Sequence, residues 1–233
     1  FFKAAQARGI PWTSETNLFL ERCKGQIIAI TGSVGKSTTT AMIGEVLQAT
    51  FTGTADAPRV LVGGNIGKSL LDELPNIRAK DIVILEISSF QLEDVAAIRV
   101  GPTHVVLTNL QPNHLDRHGT FDAYIDAKLN AVRFLREHGS ICFNGDDPEL
   151  CRRLSIVRPE NVDAGYKRPV SYDDRKAWVH VEDGAIVAFR EKPKASPANR
   201  PADRVGGFEP VIQLAEMGVP GRHNVYNAML AIK

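Results

Sequence analysis

Apolar and polar positions along the chain fall into two alternating patterns. Short β-rich apolar runs occupy 27–31, 59–62, 81–86, 104–109 and 140–143. Between them lie longer stretches with apolar residues three and four apart, the spacing of one helix face. Strand and helix in alternation predict an α/β domain, a mainly parallel sheet flanked by helices. One helix is predicted from Ser37 to Leu47. A second, from Phe121 to Arg136, puts Phe121, Tyr124, Ile125, Lys128, Leu129 and Val132 on one stripe. From about residue 155 the pattern changes. Trp178 to Val181 and Ala185 to Phe189 flank Asp183-Gly184, a strong hairpin signal, and Val170 to Tyr172 predict a third strand of a small antiparallel subregion. Residues 191–207, rich in Pro, Lys, Arg and Gly, predict a mobile loop. Residues 1–24 read as the tail of a preceding domain and a linker, and 25–233 as the main domain.

Composition narrows the class. A chain of 233 residues is long enough for one such domain with its own core. The net charge is +1 with mixed signs, so no nucleic-acid or membrane partner is expected. The apolar runs fall far short of the roughly 18 residues of a membrane span. Cys23, Cys142 and Cys151 are odd in number and lack metal-type spacing, which predicts reduced thiols in a cytoplasmic protein. The chain begins Phe1-Phe2-Lys3 and stops at Ala231-Ile232-Lys233 inside a helical pattern. A piece of a longer protein is expected.

The richest stretch is Thr31-Gly32-Ser33-Val34-Gly35-Lys36-Ser37-Thr38-Thr39, between an apolar strand and a helix. That order gathers backbone N–H groups into a hollow at a helix N-terminus, which suits a polyphosphate. Lys36 can reach terminal phosphates and the Ser37 hydroxyl can ligate Mg²⁺. The common motif has glycine five residues before Gly35, where this chain has Ile30. The match is to a variant loop, and a plain glycine turn is the alternative.

Four apolar runs end in notable residues: the glycine loop, Gly63-Gly64-Asn65-Ile66-Gly67, Glu86, and Asn109 to His118. In a parallel sheet these ends share one crevice. Glu86 is then either a Mg²⁺ ligand or a solvated strand-end carboxylate or helix cap. His114 is either a metal ligand or polar surface. Lys128 either snorkels to the rim or is buried as a neutral amine, which can take up CO₂ and become an anionic carbamate. Asn224 and Asn227, one turn apart, either read an adenine edge or cap the last helix.

Together these motifs resemble the Mur ligase family, the ATP-dependent amide ligases of peptidoglycan precursor synthesis. The family pattern Thr-Gly, two residues, Gly-Lys-Ser/Thr-Thr fits 31–38, and Gly221-x-His223-Asn224-x-x-Asn227 fits the motif closing the ATP domain. Gly63 to Gly67, Leu85-Glu86-Ile87-Ser88-Ser89-Phe90-Gln91-Leu92-Glu93 and Asn113-His114-Leu115-Asp116-Arg117 are most similar to the branch that joins D-glutamate to UDP-N-acetylmuramoyl-L-alanine. The resemblance implies that Gly32, Ser33, Val34, Gly35, Lys36, Ser37 and Thr38 bind the ATP phosphates. It implies one Mg²⁺ on Ser37 and Glu86, and a second held or framed by His114 and Lys128, the latter N6-carboxylated. Catalytic work would fall to Lys36, Glu86, His114 and Lys128. Asn65, Ser88 and Gln91 would contact the muramoyl substrate or the reacting phosphate, and Asn224 and Asn227 would bind adenine. Val34 departs from the polar residue common there, which leaves that position a backbone role only. The implied layout is the end of a UDP-binding domain over 1–24, the central ATP domain over 25–233, and an absent C-terminal domain, in a monomer.

Rival readings are another Mur ligase, a folylpolyglutamate synthase-like ligase, a GTPase-type module, or a non-catalytic nucleotide-binding fragment. The Ser88-Ser89-Phe90-Gln91-Leu92 run argues against the first two. The Asn/Thr-Lys-x-Asp motif of guanine readers does not occur in the chain.

Overall fold

The computed structural model describes residues 2–9, 13–67, 69–161, 166–191 and 206–232. The five apolar runs become β1 (Gln26–Thr31), β2 (Val60–Gly64), β3 (Ile82–Glu86), β4 (His104–Leu107) and β5 (Ser140–Asn144). They pair in parallel in the order β2-β3-β1-β4-β5. Both faces are covered, which is why these strands read as continuous apolar runs. On one face Ile27, Val83, Leu85, Val105, Leu107 and Ile141 pack with Leu92 and Val95 of α4 (Ser89–Ile98) and Ile125 and Leu129 of α6 (Phe121–Arg133). On the other, Ile30, Ile84, Val106 and Cys142 pack with Ile43 of α3 (Lys36–Phe51) and Met229 and Leu230 of α8 (Arg222–Ile232).

The chain leaves β1 toward β2 on one side and leaves β4 toward β5 on the other. The order of connection therefore reverses between β1 and β4. A crevice opens outside the carboxyl ends of two such strands.

Three sequence expectations change. The helix from Phe121 stops at Arg133 rather than Arg136. Phe134 and Leu135 turn into the core, and the Arg136 guanidinium donates to the carbonyls of Leu20, Cys23, Gly25 and Gly101. The expected strand at 170–172 is β6, Tyr166–Val170, and it extends the parallel array beside β5. Asp146 explains why it ends: it accepts hydrogen bonds from Ser171 Oγ and Tyr172 N and turns the chain. The expected hairpin is β7 (Val179–Glu182) and β8 (Ala185–Glu191), but β9 (Gly206–Gln213) follows antiparallel, and all three continue the same nine-stranded sheet. Within the predicted loop 191–207, residues 192–205 lie outside the described residues.

The segment read as a tail and linker contains helices, the second of which packs on this sheet. Residues 2–9 include α1 (Phe2–Ala7), and α2 (Glu15–Arg22) begins at Ser14, whose hydroxyl accepts from Asn17 N. Phe19, Leu20 and Cys23 are buried in the same core as β1 and α4. Asn17 Nδ2 donates to Asp94 O at 3.0 Å.

Candidate active site

The carboxyl ends of β2, β3, β1 and β4 carry one continuous chain of contacts. Gly32 and Gly35 bracket the loop after β1 with φ of 144° and 86°. A Cβ on Gly32 would stand 2.0 Å from Thr108 Oγ1, and one on Gly35 2.6 Å from Asn227 Oδ1. Both positions need glycine for space as well as for conformation. The loop is pinned to the end of β4. Ser33 N donates to Asn109 O and Val34 N to Asn109 Oδ1, each at 3.0 Å. Val34 O accepts from Thr108 Oγ1 at 2.6 Å and Asn109 Nδ2 at 2.8 Å. The Val34 side chain itself points out, 59% exposed. α3 starts at Lys36, so its first-turn N–H groups and positive dipole end face the loop's hollow.

Lys36 Nζ folds back on the carbonyls of Gly32 (3.1 Å) and Ser33 (3.2 Å). Ser37 Oγ donates to Glu86 Oε2 at 2.7 Å, and Asn65 Nδ2 donates to Glu86 Oε1 at 3.1 Å. Glu86 is buried, so it is neither a solvated carboxylate nor a helix cap. The cap of α4 is Ser88, whose Oγ accepts from Gln91 N at 3.3 Å while Ser88 N donates to Gln91 Oε1 at 2.9 Å. Gln91 and Glu86 also line a small cavity with Gly64, Leu70 and Phe19.

The donor set at Ser37 and Glu86 fits Mg²⁺, which takes one or two carboxylates and completes its octahedron with phosphate and water oxygens. Among the described residues no three His, Cys, Asp or Glu converge as a self-sufficient metal site. A cation held here depends on a phosphate partner.

Lys128 is buried, not snorkelling, at 2% exposure. Its Nζ donates to Gly32 O at 2.9 Å and to Thr31 Oγ1 at 3.4 Å, and lies 4.6 Å over the Tyr124 ring. Burial first, and the nearby Lys36 charge second, pull its pKa down to about 7. Both lysines address the Gly32 carbonyl, and two ammonium groups on one oxygen repel. Tyr124 OH reaches Ser33 Oγ at 2.9 Å, and Ser33 Oγ donates to Gln111 O at 2.8 Å. His114 is exposed, with φ of 52°, its ring 4.9 Å from Phe90 and 6.5 Å from Tyr124. Thr38 lies in the first turn of α3.

A cavity of about 700 Å³ adjoins the loop on the α8 side, lined by Gly35, Asn109, Asp146, His223, Tyr226 and Asn227 among others. Asn227 Oδ1 accepts from Thr39 Oγ1 at 3.2 Å, and its Nδ2 donates to Asn224 Oδ1 at 3.3 Å. Asn224 shares that face but lies off the cavity lining, and its Nδ2 donates to Pro220 O at 2.7 Å. Sequence reasoning missed Asp146 and Tyr226. Tyr226 OH donates to Asp146 Oδ2 at 2.6 Å. Burial, reinforced by that carboxylate, pushes the Tyr226 phenol up to about 12. Burial alone would raise the Asp146 pKa, but the hydrogen bonds from Ser171, Tyr226 and Tyr172 outweigh it and hold it below its usual value. Asp146 was findable, because Asn144-Gly145-Asp146-Asp147 ends the fifth apolar run at the same sheet edge. Tyr226 carried no signal.

The profile of the Mur ligase middle domain matches residues 30–233. The chain belongs to the Mur ligase family. Among its relatives, the UDP-N-acetylmuramoylalanine--D-glutamate ligase of Symbiobacterium thermophilum is 36% identical over 231 residues, covering 99% of this chain and 45% of its own length. That of Streptococcus pneumoniae is 35% identical over 228 residues, covering 98% and 44%. The chain thus spans a little under half the length of these Mur ligases. Solved Mur ligase structures share the fold. A UDP-N-acetylmuramoyl-L-alanyl-D-glutamate--2,6-diaminopimelate ligase superposes with TM-score 0.61 at 20% identity, over 99% of this chain and 44% of its own. The MurF ligase of Thermotoga maritima in complex with ADP gives 0.56 at 18%, over 93% and 46%.

Proposed function

We propose that the protein uses ATP to join D-glutamate to UDP-N-acetylmuramoyl-L-alanine. The observation that carries this is the 2.7 Å contact of Ser37 and Glu86 beside a glycine loop at a helix N-terminus. This is where a metal–polyphosphate would be gripped. The choice of substrates rests on the relatives named for that ligation, similar over nearly the whole chain.

The reaction brings a carboxylate up to a polyanion. The substrate carboxylate attacks the γ-phosphorus, the bond to ADP breaks, and an acyl phosphate forms. The D-glutamate amine then displaces phosphate and loses a proton as the amide forms. Lys36 leaves the loop carbonyls and meets the β- and γ-phosphates, and the loop and first-turn N–H groups of Gly32 to Thr38 cradle them. Ser37 and Glu86, steadied by Asn65, would hold Mg²⁺, which when bound screens the charge between phosphates and approaching carboxylate. The neutral amine of Lys128 could add CO₂ and release a proton, and as a carbamate it would, with His114, hold or frame a second Mg²⁺, which would add to the charge screening. Asn65, Ser88 and Gln91 lie on the β2–β3 side and take the muramoyl end. Asn227, with Asn224 behind it, reads adenine in the larger cavity, the nucleotide of the ADP-bound neighbour being the model for that ligand.

The test is amide formation by the full-length gene product from ATP, UDP-N-acetylmuramoyl-L-alanine and D-glutamate. Glu86→Gln is expected to lower kcat by about 100-fold or more while leaving the fold intact. Preferential ligation of another amino acid, or full activity in Glu86→Gln, overturns the reading.

A further inference from the structure

α5 (Leu115–His118) is a single turn with no side-chain cap, yet it carries His114 at its head. A clamp at its other end holds it. The His118 side chain is 1% exposed. Its Nε2 lies 2.9 Å from Ser89 Oγ and its Nδ1 2.8 Å from Glu93 Oε1. Ser89 and Glu93 are four residues apart on α4, so one helix face presents both partners. The ring stacks on Phe90 at 5.2 Å and meets Tyr124 edge-on at 5.4 Å. Arg117 covers Phe90 at 4.6 Å and approaches Glu93 at 3.6 Å. A buried imidazole is costly to leave without polar neighbours. Nε2 shares a hydrogen bond with Ser89 Oγ, while the Glu93 carboxylate stands 2.8 Å from Nδ1 without hydrogen-bond alignment, a close polar contact on the other edge of the ring. His118 N donates to His114 O at 3.0 Å, so the fixed ring also fixes where His114 sits.

We infer that His118 is a positioning residue, holding His114 at the acceptor side of the active site through Ser89 and Glu93. The inference rests on the function proposed above. Ser–His–Glu is also the geometry of a nucleophile relay. Ser89, however, is only 2% exposed, so no substrate reaches it. The three groups serve position, not attack. The clamp reaches the glycine loop only through the edge of Tyr124, whose OH meets Ser33, and a ring kept at 118 preserves that edge contact, so ATP binding and acceptor use separate in the test.

The experiment uses the full-length gene product with His118→Phe, Glu93→Ala and Glu93→Gln. His118→Phe keeps a ring on Phe90 and removes both nitrogens. Its kcat/KM for the UDP-linked acceptor is expected to fall about ten-fold or more, with the KM for ATP within about two-fold of the parent. Glu93→Gln keeps a polar oxygen beside Nδ1 and retains near-parent activity, whereas Glu93→Ala does not. Hydrogen exchange at the Arg117 and His118 amides is expected to quicken about ten-fold in His118→Phe, with Val132 in α6 unchanged. Unchanged exchange at 117 and 118, an ATP KM that rises in step with the acceptor KM, or equal activity in the two Glu93 variants overturns the inference. If His118→Phe does not fold, the Glu93 pair decides. If the parent makes no amide, the functional reading fails and the exchange data still judge the clamp.

Discussion

Lys128 shows what a single residue in a pattern does and does not reveal. Its place in the stripe Tyr124, Ile125, Lys128, Leu129 was plain in the sequence. Its burial was not, because a lysine on an apolar face either reaches the rim or stays inside. The decision comes from partners far along the chain, Thr31 and Gly32, and from the Tyr124 ring. Glu86 was legible for the opposite reason: a strand end fixes its direction, and the glycine loop after the neighbouring strand leads into α3, whose first turn supplies Ser37. Burial gives Lys128 a signature in stability. Its folded pKa, about 7, lies below the ordinary 10.5. Between those values the unfolded chain holds a proton that the folded chain has released, so stability rises with pH across that window. Lys128→Met is expected to flatten the rise by up to about 1.4 kcal/mol per pH unit. Denaturant melts of parent and variant from pH 6.5 to 9.5 measure it, and parallel curves would refute the burial of an ionisable amine. The readout must be made with CO₂ excluded, since a carbamate removes the titrating group.

At the scale of elements, the five strands of the parallel core were legible because two-sided burial writes unbroken apolar runs. β6 was not. Its sequence, Tyr166-Lys167-Arg168-Pro169-Val170, has neither an apolar run nor clean alternation. It is kept in the sheet by its parallel ladder with β5, from Ser140 opposite Tyr166 to Asn144 opposite Val170, with Gly145 N donating to Val170 O and Arg168 lying over the Trp178 ring at 4.9 Å. None of these contacts is local. β9 was hidden by Gly206, Gly207 and Pro210, residues that weaken a strand but are tolerated at a sheet edge. α2 falls within residues 1–24, read as a tail and linker, because it is eight residues long and mostly polar. Two of its residues, Phe19 and Leu20, nonetheless enter the core beneath α4. Leu20→Ala is therefore expected to cost about 2–5 kcal/mol, the range for emptying a fully buried leucine site. A true linker residue would change stability by less than about 0.5 kcal/mol. Urea melts of the two proteins separate the outcomes. A negligible shift would show that α2 adds nothing to this core and would favour the tail-and-linker reading of residues 1–24.

For the whole molecule, the site lies where the sheet's connections reverse, and this explains why motifs spread over almost two hundred residues meet. The glycine loop, Asn65, Glu86 and Asn109 meet because β1, β2, β3 and β4 run parallel and end together. Asn227 joins them because α8 packs beside α3 on one face, and Lys128 because α6 packs on the other. All the groups argued to grip ATP are thus held by this one sheet. The amine acceptor is another matter. Orienting two reactants can contribute about 7–11 kcal/mol to a barrier, and it needs walls on every side of the reacting atoms. The relatives named for D-glutamate ligation are about twice as long as this chain, which covers 45% of one and 44% of another. The 233-residue polypeptide expressed by itself is therefore expected to bind ATP with Mg²⁺ and to form no amide at a ligase-like rate. Calorimetry with ATP and GTP reads the first half. ATP should bind, Lys36→Ala should abolish most of the affinity, and GTP should bind more weakly if Asn227 reads adenine. Incubation with ATP, Mg²⁺, UDP-N-acetylmuramoyl-L-alanine and D-glutamate reads the second. Water can still reach the transferring phosphate in so open a site, so slow phosphate release without amide is consistent with the argument. Amide formation at the rate of a full-length relative would show that this sheet and its helices contain the acceptor site as well, and that the missing length is not needed to close it.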